Sequence, residues 1–318
     1  MENSQIVREG KLGFFGIIKE SLRIPFKNPN FIIFAFLTSL PLFCFSSVYE
    51  IIFQKTIIET RYIIQETITP DNPYGNFEYS YEALLNFEKW IGKISRKFLL
   101  LVLFYLGILH FLDLLNTVAV VEITSLIYKE EKAMNLKAMF SRFINETRLK
   151  GPLITSIYVL LLASLISFGL VSLLPYILIG YTAFFFTVPF LVLYISLLIK
   201  YIDWSAIWDM GIVISVLEEK QGDVAIIASS YLSRGSRLYG FFLMLVFFGW
   251  RVALRLSLLY AGFKTGGGEV MRTVLQSGFI CFGVVLKWVI FVVYFYDCKK
   301  QSLEGKIDAE EGIRRVEQ

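Results

Sequence analysis

The chain has 318 residues, of which 56% are apolar and only 18% charged, against about 25% charged in an average soluble domain. Its mean hydropathy is +0.61. These values leave too few polar side chains to cover a soluble surface and too much apolar content for disorder or a collagen-like repeat. Three cysteines make no disulfide scaffold, so the composition points to an integral membrane protein.

Residues 1–30 read as an N-terminal segment. Its first 29 residues hold eight charges and lack the apolar core of roughly 7–15 residues that a cleavable signal needs, so the first span is expected to be the anchor. Within it, Lys11 to Pro25 predicts an amphipathic helix: Leu12, Phe15, Ile18 and Leu22 recur at three- and four-residue steps, with Lys19, Glu20 and Arg23 elsewhere. Beside a membrane, that pattern suits a helix lying in the interface; packing on other loops is the alternative. Pro25 and Asn28-Pro29 are expected to end it.

A bilayer core about 30 Å thick takes about 20 mostly apolar helical residues. Such runs predict a membrane domain over 31–299, with spans near 31–49, 98–128, 153–174, 176–199, 238–263 and 273–296. The third and fourth share one uncharged run, Gly151 to Ile199, which is divided at Pro175. A span in lipid must satisfy its own backbone, so each is helical, and none shows the alternation of a β-barrel strand. The fold class is therefore all-α: a polytopic membrane helix bundle with interfacial amphipathic helices. Pro41 and Pro189 fall inside spans one and four, as packing kinks or as hinges.

Between the spans, Glu50 to Lys97 reads as a large exterior loop centred on turn residues from Thr69 to Asn76. Asp203 to Gly235 reads as two half-buried helices at the cytosolic interface. The first holds Trp204 and Trp208; Gln221-Gly222 breaks it; Asp223 caps the second, which Gly235 ends. Residues 300–318 form a polar tail.

Basic residues set the orientation. The N-terminal segment, the 2–3 and 4–5 loops and the tail together carry 20 Lys and Arg, and the opposite side carries 8. Both termini are thus expected in the cytosol, of either an endomembrane or the plasma membrane. The net charge of +4 reflects that face and implies no nucleic-acid partner. The single sequon, Asn145-Glu146-Thr147, falls on the cytosolic side and should stay unmodified.

Ionisable groups inside a bilayer are costly and invite a functional reading. His110, Asp113 and Glu122 lie on span two, Arg251 and Arg255 on span five, and Lys287 on span six. Asp113 is about 20 Å from the cytosolic end of its span, at a depth similar to Arg251 and near that of Lys287, and it shares a helix face with His110. His110, Asp113, Arg251, Arg255 and Lys287 thus form a candidate intramembrane polar cluster, either an ion-paired lock between spans or a path drawing an anion or lipid phosphate. Glu122 is closer to the rim and is expected to snorkel outward.

No catalytic motif is present. One histidine cannot build a zinc or di-iron centre, Cys44, Cys281 and Cys298 are widely spaced, and neither a G-x-S-x-G elbow nor a Walker A loop occurs. No metal and no cofactor is therefore expected. Gly266-Gly267-Gly268 reads as a flexible turn, and Cys298, beside Lys299 and Lys300, is a candidate for palmitoylation.

Two stretches carry a resemblance: LGFFGIIKESLRIPFKNPNFIIFAFLTSLPLFCF at 12–45 and WSAIWDMGIVISVLEEKQGDVAIIASSYLSRGSRLYGFF at 204–242. Together they resemble a plant family of uncharacterised six-span membrane proteins, over about 10–300. The second stretch is also distantly similar to the membrane domain of bacterial glycerophosphodiester phosphodiesterases, whose catalytic barrel this chain lacks. The resemblance implies a topology and carries no site residue. The functional expectation is a non-enzymatic membrane scaffold or regulatory protein that binds membrane lipids or a protein partner through its cytosolic helices. The alternative is a carrier or channel for a small solute, anionic by the charges on spans two, five and six.

Overall fold

The structure is a computed structural model, and it describes residues 12–68, 96–130, 134–146, 149–179, 184–218, 220–265 and 270–316. The described residues are helical and contain no strand. In chain order the helices are α1 (Phe14–Lys27), α2 (Pro29–Ile68), α3 (96–104), a π-helical turn (Tyr105–Leu109) and α4 (His110–Glu130). They continue with α5 (Leu136–Glu146), α6 (Lys150–Ile179), α7 (Phe184–Leu217), α8 (Gly222–Leu232), α9 (Arg237–Thr265) and α10 (Val270–Val316). Among the described residues, six stretches are long and apolar enough to cross a membrane: Pro29–Thr60, Arg96–Lys129, Lys150–Leu174, Thr187–Leu217, Arg237–Ser257 and Val270–Glu304. The chain is an all-α, multi-pass membrane protein.

Several boundaries differ from the sequence expectation. Pro25 lies inside α1, and the break falls one turn later, at Asn28. Asn28 is extended (φ −132°, ψ 88°) because the following proline bars it from the α region. Pro29 then opens α2, where its missing N–H costs nothing. Pro175 lies inside α6, so the chain does not turn there; α6 runs to Ile179 and α7 starts at Phe184. Asp203–Leu217 is no separate interfacial helix but the end of α7. The break expected at Gln221-Gly222 is real, with Gln221 rather than Asp223 at the N-cap position. The expected tail continues α10 to Val316. Most of the expected exterior loop, 69–95, lies outside the described residues, but its first part, 50–68, is helical within α2.

The chain divides into two compact units. The first comprises Met1–Phe36, Thr117–Gly249 and Val285–Gln318; the second comprises Leu37–Asn116 and Trp250–Val284. In the first unit, α10 is buried on every side from Trp288 to Phe295, as expected of a helix packed all round. Gly240 on α9 admits Tyr294: a Cβ there would lie 2.8 Å from Tyr294 Oη, and that hydroxyl donates to the Ser236 carbonyl at 3.1 Å. Helix α8 is held on α6 and α7. Gly222 takes φ +58°, its N–H donates to Thr155 Oγ1 at 2.9 Å, and Ser229 donates to the Ile207 carbonyl at 2.8 Å. Arg237 closes the α7–α9 connection with two hydrogen bonds to Asp203, at 2.6 and 3.0 Å. In the second unit, Leu42, Leu109 and Cys281 form a small core, with Phe43, Tyr49, Phe104 and Leu112 packed on it.

Candidate functional site

The five members of the expected intramembrane cluster are distributed over the two units. Lys287 belongs to the first unit, and its partner is Asp209 on α7, with Nζ 3.0 Å from Oδ2. The two side chains are 15% and 11% exposed, and the ammonium also lies 4.1 Å from the Trp288 ring centroid. Asp209 escaped notice because its stretch reads as an interfacial helix; as part of a continuous α7 it reaches Lys287. His110, Asp113, Arg251 and Arg255 belong to the second unit. His110 and Asp113 are half-buried, and among the described residues Asp113 makes no ion pair. Arg251 and Arg255 are exposed.

The structure adds polar groups that the sequence reading passed over. On α2, Ser47, Glu50 and Gln54 recur at three- and four-residue steps and are all buried; on α10, Thr273, Gln276 and Ser277 are buried too. Thr273 Oγ1 donates to Gln54 Oε1 at 3.4 Å. Ser47 Oγ, Gln54 Nε2 and Gln276 Nε2 have no hydrogen-bond partner among the described residues. Glu50 was assigned to a loop because hydropathy falls there, although the helix continues. Asn116, one turn after Asp113, is likewise buried with neither amide atom bonded among the described residues.

Three helices of the first unit, α1, α5 and α8, are too short to span. In α1, Ile17, Ser21 and Ile24 are buried, while Phe15 and Phe26 are 81% and 83% exposed and Leu22 is exposed beside them. Of the stripe expected from the sequence, Phe15 and Leu22 face outward while Leu12 and Ile18 are half-buried, and a second face packs inward. Helix α8 repeats the arrangement: Gly222, Ala225 and Ser229 are buried, and Val224, Ile227 and Tyr231 are exposed. Arg234 lies over the Tyr231 ring, 5.3 Å from its centroid. Helix α5, counted in the sequence only for its charges, packs Met139, Phe140 and Phe143 inward, the two phenylalanines against Phe34.

Just beyond α7, Glu218 joins Lys220 and Lys299 at 2.9 and 2.6 Å. Burial opposes its ionisation, but the hydrogen bonds from the two lysines prevail and hold the carboxyl below its usual value. Cys298 is 1% exposed, and its thiol meets the Ser236 hydroxyl at 2.9 Å. Acylation of Cys298 would therefore require α9 and α10 to part locally. Among the described residues, no group of three or more His, Cys, Asp or Glu is arranged to hold a metal.

Comparison with known proteins places nearly the whole chain in one family, with residues 4–310 matching its model. The chain belongs to the family described as Domain of unknown function (DUF8558). No curated protein and no solved structure matches it. Membership in DUF8558 therefore assigns no activity to the polar groups above, and their chemistry has to be argued from the residues themselves.

Proposed function

We propose that this DUF8558 protein is a non-enzymatic membrane protein with both termini in the cytosol, and that α1 and α8 engage the cytosolic lipid surface as part of a scaffolding or regulatory role. The observation that supports it is the two-faced burial of α1. One face is fixed to the protein, and the other presents Phe15, Leu22 and Phe26 with Lys19, Arg23 and Lys27 exposed nearby. Aromatic and aliphatic side chains flanked by lysine and arginine suit the headgroup–acyl boundary of an anionic leaflet. The bare face of α8, between Lys220 and Arg234, suits the same surface. The charge count supports a cytosolic side for both helices. The anion-carrier alternative loses ground, because Lys287 is engaged by Asp209 and both arginines are exposed.

The test uses full-length protein in vesicles containing anionic lipid. A Cys44→Ser background removes the exposed thiol, the other two being buried. Bimane attached at Phe15→Cys or Phe26→Cys should be quenched by lipids spin-labelled near the headgroup and shielded from aqueous iodide. Strong iodide quenching with no lipid quenching would refute the proposal. A solute flux from the same vesicles that vanished in Asp113→Asn would favour the carrier.

A further inference from the structure

We infer that the second unit holds a binding site for a monovalent alkali cation between α2 and α10, centred on Glu50. The first argument is burial. Glu50, Gln54 and Gln276 are 7%, 6% and 7% exposed, and Ser47, Thr273 and Ser277 are buried with them. Residues 47, 50 and 54 share one face of α2, as 273, 276 and 277 do on α10, and the Thr273–Gln54 hydrogen bond brings the two faces together. The second argument is that several of these groups are unspent. Glu50 makes no ion pair or hydrogen bond among the described residues, and three neighbouring polar atoms, on Ser47, Gln54 and Gln276, lack partners there. A buried polar group without a partner is costly. Three such atoms beside the Glu50 carboxylate, on the facing sides of two helices, point to a ligand that satisfies them together.

Donor chemistry selects its class. The set offers one carboxylate, three hydroxyls and two side-chain amides, with no sulfur and no imidazole, which suits a hard cation. A half-turn of either glutamine amide exchanges nitrogen for oxygen without changing its shape. Gln54 would then donate to Thr273 instead of accepting from it, and both glutamines would present an oxygen. A single carboxylate balances one positive charge, whereas calcium and magnesium sites draw on more. This inference does not depend on the lipid-surface reading, which concerns the first unit.

Full-length protein in nanodiscs is heated in N-methylglucamine chloride, then with sodium or potassium chloride substituted at constant ionic strength, and unfolding is followed by tryptophan fluorescence. Binding to the folded state raises Tm, so a saturable rise is expected with at least one alkali ion, and the more effective ion identifies the preferred one. Glu50→Gln and Gln276→Leu should move the midpoint concentration at least tenfold. Should Glu50→Gln fail to fold, Glu50→Asp keeps the charge on a shorter arm and should still weaken the midpoint several-fold. The inference is overturned if wild-type Tm is the same in all three salts or if the variants keep the wild-type midpoint.

Discussion

Lys287→Met is the sharpest probe of how the first unit is locked. The ammonium sits 3.0 Å from Asp209 Oδ2, and little of either side chain reaches the surface. Removing one partner of a buried pair leaves the other charge stranded, at a cost of about 3–5 kcal/mol. The lower end applies here, because both side chains keep some exposure, 15% and 11%. A loss of about 3 kcal/mol lowers the folded-to-unfolded ratio more than about 100-fold, at 1.4 kcal/mol per factor of ten. Replacing both partners, as in Asp209→Leu with Lys287→Met, removes the stranded charge and should return to within about 1 kcal/mol of the parent. The assay is SDS-driven unfolding in mixed micelles, read by tryptophan fluorescence, for both single variants and the double. The coupling energy from that cycle should be about 2 kcal/mol or more. The reasoning fails if Lys287→Met costs under about 0.5 kcal/mol, or if the double variant is as unstable as the two single losses summed.

Gly240→Ala should destabilise by about 1–3 kcal/mol, because its Cβ would press on Tyr294 Oη at 2.8 Å. Adding Tyr294→Phe removes that oxygen and should recover part of the loss in the same unfolding assay. Glu218 has a folded pKa below its unfolded one. The unfolded chain therefore takes up the proton first, and the stability Glu218 contributes is present above about pH 4.5 and is lost as pH falls through the folded value. Glu218→Gln should accordingly be less stable than wild type at pH 7 and should flatten the acid limb of a Tm-against-pH curve. A protease-accessible tag inserted at Pro73 should be reached only from the exterior or lumenal side, and tags at either terminus only from the cytosol; the reverse pattern would overturn the orientation drawn from the basic residues.

How much of the molecule could be read from its sequence depends on what hydropathy measures. It reports where a helix meets lipid, so the six apolar stretches stand out clearly. It does not report where a helix ends, so α2 runs to Ile68, α7 to Leu217 and α10 to Val316, past the points where the apolar runs stop. Both misplaced carboxylates follow from that difference. Glu50 and Asp209 lie where hydropathy falls and the helix continues, one read as loop and the other as interface. Partner choice was hidden for the same reason: equal depth makes Asp113 a plausible mate for Lys287, but only the continuous α7 brings Asp209 within 3.0 Å of it. The stripe on α1 shows the complementary limit. Leu12, Phe15, Ile18 and Leu22 mark an apolar face without saying what covers it. The inner face joins Ile17 and Ile24 to Ser21, whose hydroxyl is satisfied by the Ile17 carbonyl at 2.6 Å, so the serine is buried without an unpaired group. A helix that packs Ile17, Ser21 and Ile24 inward and leaves Phe15, Leu22 and Phe26 exposed among the described residues has a second apolar face, and beside six candidate spans that face supports the proposed lipid contact.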